Sequence, residues 1–267
     1  MYSICDIPLD NEAMGWSIQS DSEFMPELQM ESTELRTPGI DGYKKISRSP
    51  RIAPTLPLVI RTPKENLNTL MALFAQDDAY ISLVDTPTRR AFFELYSMKP
   101  KGLTPFDETV EVSIALGIPG VYWRDRDMTY GVSQPIANPV EYFNVFPDIS
   151  GKINDAQIFV GGAFGHVEVR DSGGSFVRTT KIWAHPGYGM LYIAETRRAF
   201  MATVADPWIP LGDVSDGIAT SGGSRFQIEP YLIADDPDDR TGRIKVTTDN
   251  QSGVTFRVAA RGAYLVE

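Results

Sequence analysis

The chain has 267 residues, 42% of them hydrophobic, with 25 Lys and Arg against 35 Asp and Glu for a formal net charge of −10. That length suits one large or two ordinary domains with real cores. The negative balance argues against a general nucleic-acid grip, which needs clustered cations to displace counterions, and against binding an anionic membrane surface. The single cysteine, Cys5, excludes a disulfide within the chain. The opening MYSICDIPLD lacks the basic region and apolar run of a secretory signal. No stretch approaches the roughly 18 apolar residues of a membrane span. The expectation is a soluble product made inside the cell.

In chain order, the first punctuated stretch is ELRTPGIDGYKK, Glu34 to Lys45, with Pro38, Gly39, Asp41 and Gly42 between two strand-like segments. Glycine supplies backbone angles that other residues resist, and proline fixes its own φ, so a tight, rigidly entered turn is predicted. LPLVIRT follows as a strand. TPKENLNTLMALFAQ then predicts the one amphipathic helix, about 63–76. Thr62 reads as its N-cap, Pro63 as its first helical position, and Leu67, Leu70, Met71 and Phe74 as its buried stripe. AYISLVD and RRAFFELYSM, rich in β-branched and aromatic residues, are further strands. ETVEVSIALG places Val110, Val112, Ile114 and Leu116 on one face and Thr109, Glu111 and Ser113 on the other, a half-buried antiparallel strand.

After Trp123 the polar run RDRDMTYGVSQPIANP, with Pro135 and Pro139, reads as a connection between domains, centred on 131–141. Alternation resumes near Tyr142: Val167 and Val169, Leu191 and Ile193, Phe226 and Ile228, then Val254, Phe256, Val258 and Ala260. The signals DSGGS, TSGGS and DNQSG separate these runs. Many short strands at this spacing predict a sandwich or barrel. The expected division is an N-terminal β domain with one helix (1–130), a linker (131–141) and a C-terminal β-sandwich (142–267).

Chemistry-bearing motifs are scarce. His166 and His185 are far in sequence from Cys5 and lack the close ligand pairs of a zinc site. The acidic run DDPDDRTG, Asp235 to Gly242, fails the calcium-loop pattern because Arg240 stands at the third ligand position, so it reads as a solvated loop. G-x-S-x-G and a Walker-type phosphate loop are absent, and GYGMLY lacks the third glycine of a dinucleotide fingerprint. Carboxylates that pair in space stay open to a sequence reading. Trp183, Tyr188 and Trp208, with Tyr192 and Tyr231, could form a sugar-stacking or partner-contact platform, although packing is the commoner use of such rings. No catalytic residue, metal ligand or cofactor site is assigned. The residues by themselves lead to an acidic, two-domain β protein for binding or assembly.

The order of features in the first half carries a resemblance. A strand leads into RTPGIDG; LPLVIRT runs straight into the capped helix; DAYISLVDTPTRRAFFELYSM turns at Asp85-Thr86-Pro87; and a long alternating strand ends near PGVYWRD. From about Leu28 to Arg124 this resembles the N-terminal domain of phage distal tail proteins, the hub of long-tailed, non-contractile phages. The second half, with ADPWIPLGDVSDGI followed by RFQIEP, resembles more loosely the galectin-like sandwich that many such proteins carry.

The resemblance implies a virion structural protein without enzymatic activity. It implies a homo-hexameric ring built by the first domain and stacked on the tail tube protein, with tail-tip and receptor-binding proteins as further partners. DNA would pass through the ring without being held, which an acidic lumen favours. Pro38, Gly39, Asp41 and Gly42 would form a structural turn of the ring domain. A carbohydrate-binding adhesin is the second reading, and a glycoside hydrolase built on two β domains the third.

Overall fold

In the computed structural model the segment ETVEVSIALG is a strand with Val110, Val112, Ile114 and Leu116 buried and Thr109 and Glu111 exposed, as its alternation predicts. The structure describes residues 1–23, 53–85, 88–102, 104, 108–121, 123–171, 179–221, 226–233, 236–249 and 253–265, together with the short strands Glu34–Leu35 and Lys44–Lys45. The chain divides into two compact units, Met1–Trp123 and Arg124–Leu265.

The first unit comprises β1 (Tyr2–Ile4), β2 (Ile7–Pro8), β3 (Ser17–Ile18), β4 (Glu34–Leu35), β5 (Lys44–Lys45), β6 (Thr55–Pro63), α1 (Leu67–Phe74), β7 (Tyr80–Leu83), β8 (Arg89–Phe92), β9 (Glu94–Lys101) and β10 (Thr109–Gly117). The chain leaves it within β11 (Trp123–Asp125). One sheet runs β2-β1-β7-β8 and a second β3-β6-β10-β9, with antiparallel pairing throughout; β4 and β5 pair with each other. In the second sheet Val112 lies opposite Ile60, Ile114 opposite Leu58 and Leu116 opposite Leu56, so the apolar sets of β6 and β10 fall on one face. Glu111 lies opposite Arg61 on the other face. The core also takes Leu70, Phe74, Ile81 and Tyr2, whose ring lies parallel to that of Trp123 with centroids 6.2 Å apart.

Two expectations for this unit need correction. The helix is shorter than 63–76. Pro63 ends β6 in extended backbone, a single 3-10 turn covers Lys64–Asn66, and α1 proper spans Leu67–Phe74. Thr62 is fully buried opposite Val110, so it serves the sheet rather than a cap. The buried helix residues are Leu70, Leu73 and Phe74, while Met71 faces out. RRAFFELYSM is likewise two strands. β8 pairs with β7 and β9 with β10, in different sheets, with buried Phe93 between them. Alternation cannot reveal such a switch, because both halves keep strand-like composition.

The second unit continues with β12 (Thr129–Tyr130), β13 (Gln134–Pro135), β14 (Val140–Pro147), β15 (Gln157–Gly161), β16 (His166–Asp171), β17 (Thr179–Trp183), β18 (Gly189–Ile193), β19 (Arg198–Ala202), β20 (Gly212–Asp213), β21 (Ile218–Ser221), β22 (Pro230–Ile233), β23 (Asp236–Thr248), β24 (Thr255–Ala260) and β25 (Ala263–Tyr264). One sheet orders β12-β24-β15-β18-β19-β20, with β13 also on β24; the other orders β14-β23-β16-β17-β21, with β22 also on β23. The sheets meet through Phe143 and Phe256 and through Tyr192, whose phenol burial pushes up in pKa while the Thr180 hydroxyl and the Arg197 charge act against it. This is a two-sheet sandwich.

The units divide at Trp123/Arg124, ahead of the expected linker at 131–141. Residues Thr129, Tyr130, Gln134 and Pro135 pair with β24 inside the second unit. Two prolines suggest a linker, but an edge strand accommodates a residue without an N–H. Asp236–Gly242, expected as a loop, is the first half of β23, held by β22 on one side and the end of β14 on the other. That ladder overrides the poor strand preference of aspartate.

Candidate functional site

The predicted turn at Pro38, Gly39, Asp41 and Gly42 lies outside the described residues. Its flanks pair antiparallel, Glu34 opposite Lys45 and Leu35 opposite Lys44. In the same way Thr86 and Pro87 lie outside, while β7 and β8 pair as the hairpin reading requires.

The candidate aromatic residues separate. Trp208 is half buried against a cluster of Phe159, Leu191 and Ala202, with the Tyr130 ring 5.4 Å from its own, so it seals the outer face of one sheet. Trp183 ends β17, exposed, with the Lys181 ammonium 5.2 Å above its ring. Tyr188 follows in the β17–β18 connection, its ring 5.9 Å from that of His185. Trp183 and Tyr188 thus bracket one loop, and Trp208 is used for packing.

That loop is one wall of a cleft of about 810 Å³. The cleft lies between the 162–165 turn, the 184–189 connection and Thr203-Val204. Asp249 fixes the first turn: its carboxylate accepts the Gly165 and His166 N–H groups, and its Oδ2 lies 3.1 Å from His166 Nδ1. These contacts, the His166 N–H foremost, hold the Asp249 carboxyl below the usual carboxylate range. Ala184 N–H donates to the Gly165 carbonyl, tying the second wall to the first, and Tyr188 N–H donates to His185 O. Gly162 sits at φ +103°, where a side chain would also strike the Gly253 carbonyl. Both histidines therefore belong to one corner of the sandwich. The sequence signal was present as two short glycine-rich connections, GGAFGH and HPGYG, but only pairing of β16 with β17 brings them together.

A second surface lies in the first unit. β9 is at the edge of its sheet, and among the described residues no strand pairs with its outer side. Leu95 is 36% exposed, Tyr96 53% and the preceding Phe92 48%. Ser97 lies opposite Ala115 and Leu95 opposite Leu116, so Tyr96 is the extra residue of a bulge. Its ring covers Gly117 of β10, where a side chain would collide with it. The far end, Lys99-Pro100-Lys101, has two lysines and a proline that discourage strand addition; the Leu95 end has only Glu94 and the bulge, and it keeps apolar side chains exposed. Among the described residues no three His, Cys, Asp or Glu side chains gather as a metal-ligating group.

No protein-family model matches the chain, and no curated protein matches it in sequence. Among solved structures, the crystal structure of SPP1 Dit, described as a paradigm of the hub adsorption apparatus in phages infecting Gram-positive bacteria, superposes with a TM-score of 0.60 at 13% identity, covering 94% of this chain and 94% of that one. The chain has the fold of SPP1 Dit. Two structures of the phage P2 baseplate in its activated conformation, with Ca and with Sr, match 91% of this chain and 90% of theirs at 10% identity and a TM-score of 0.38. The likeness to Dit runs through both units, so the second sandwich is part of the shared architecture rather than an appendage to it.

Proposed function

We propose that the protein is a structural component of a phage tail tip, a hub ring that joins the tail tube to the tip and receptor-binding proteins. The observation that carries this reading is a fold shared with a hub protein along nearly the whole of both chains. It acts as a scaffold, not an enzyme, and resides in the virion. The first unit builds a homo-hexameric ring. Its outward β9 edge, with Leu95 and Tyr96 exposed, supplies backbone and apolar surface for a neighbouring copy. The second unit is galectin-like, lies peripherally and meets other tail proteins. The net charge of −10 suits a lumen through which DNA slides without being held. Negative-stain electron microscopy of the purified chain tests the reading: six-fold rings with an axial channel are expected, and a strictly monomeric protein at every concentration would refute it.

A further inference from the structure

The cleft at the corner of the second unit has three properties that together select a ligand class. The first is charge. In a chain of net charge −10, the cleft wall is built from Gly, Ala, Phe, Pro, Thr, Val, His185 and Tyr188, with no Asp, Glu, Lys or Arg. An anionic ligand such as a nucleotide would find no cation, and a charged peptide no counter-charge. The second is rigidity. Asp249 pins one wall through Gly165 and His166, Ala184 ties the other wall to it, and the Tyr188-to-His185 hydrogen bond closes the turn between them. A preformed cleft binds without spending affinity on ordering its own loops. The third is the surface offered. Tyr188 is 42% exposed beside the tilted His185 ring, and six of the residues lining the cleft with it are glycine or alanine, Gly162, Ala163, Gly165, Ala184, Gly187 and Gly189, which let a ligand approach the backbone closely. The volume of about 810 Å³ lies in the range of ligand sites.

A neutral ring with one apolar face and a hydroxyl edge fits these three properties. We infer that this cleft is a saccharide-binding site, with Tyr188 as the stacking platform and His185, Thr203 and nearby backbone groups facing the hydroxyls. The inference does not depend on ring formation: a monomer and a ring present the same cleft within one copy of the second unit.

Saturation-transfer NMR on the full-length chain tests it, with glucose, galactose, N-acetylglucosamine, rhamnose and short neutral oligomers of each as probes. Transfer to at least one probe is expected, with affinity on the order of 1 mM, as few contacts can supply. Tyr188→Ala should weaken it roughly ten-fold or more. Ala163→Trp, which fills the cleft from the opposite wall and keeps Tyr188, should do the same, so misfolding of one variant cannot decide the outcome. Tyr142→Ala, another exposed tyrosine of the same unit that does not line the cleft, should leave binding unchanged. The inference is overturned by no transfer to any saccharide, by binding that survives both cleft variants, or by a cleft-dependent response to an uncharged Gly- and Pro-rich peptide but to no saccharide.

Discussion

The ring of Phe143, on one sheet of the second unit, stacks on that of Phe256, on the other, with centroids 5.1 Å apart and planes inclined by 19°. Both are buried, and the pair bridges the sandwich between β14 and β24. Phe256→Ala removes the stack and leaves a cavity that neighbouring strands cannot close. A loss of about 3–5 kcal/mol is expected, read as a lowered midpoint in chemical denaturation. A change below 1 kcal/mol, on the order of a surface substitution, would show that the sheets are held elsewhere.

The β1–β2 hairpin turns through Cys5 and Asp6, both at positive φ, 48° and 66°. A two-residue turn of this kind favours Asn and Gly. Asp6 is steadied by the Tyr80 hydroxyl, 2.8 Å from its carboxylate, and Cys5 has no comparable side-chain reason to be there. Cys5→Asn is expected to raise stability by up to about 1 kcal/mol, measured by thermal melting; a lower melting point would contradict the turn assignment.

Asp249 gives the second unit a dependence on acid. Its pKa is depressed in the folded state, so its contribution is present above the ordinary aspartate value and disappears as pH falls through the folded value. The affected window therefore lies below about pH 4. Asp249→Asn should flatten that part of the stability–pH curve and cost about 1 kcal/mol at neutral pH, a small figure because the side chain is more than a third exposed. An unaltered curve between wild type and variant would remove Asp249 from its role at the cleft wall.

Assembly should depend on the β9 edge. Leu95→Lys places a charge where a neighbour's strand would lie, and ring yield in electron micrographs should fall several-fold while circular dichroism stays unchanged. Rings formed at wild-type yield would place the contact elsewhere.

Gly39→Val or Gly42→Val is expected to reduce ring yield or solubility more than Ile40→Val, because the turn that the sequence predicts would call for positive φ, where a β-branched residue is strained. Equal yields for the three would mean that neither glycine holds a special conformation.

Strand identity was legible where one face is buried: β10 and β16 alternate, and their inward residues are those the pattern names, whereas β24 alternates only as far as Val258, Ala259 being buried as well. The helix was found but its limits were not, because Thr62-Pro63 satisfies a capping pattern while tertiary pairing keeps both in β6. The domain boundary was misplaced because prolines mark edge strands as well as linkers. The cleft was the least legible feature. Its walls come from three separate stretches, 162–165, 184–189 and 203–204, the first fixed from distant Asp249, and their small residues carry no periodic signal.

Phe93 is the single residue between β8 and β9, and so between the two sheets of the first unit. Its ring lies 6.1 Å from that of Phe74 on α1 and its N–H donates to the Ala79 carbonyl ahead of β7. A connection this short has no slack. Tension applied along the β9 edge is delivered at once to the helix and to the β7–β8 hairpin, instead of being absorbed by a loop. The two sheets of the first unit are therefore coupled directly through Phe93, with no loop between them to take up movement.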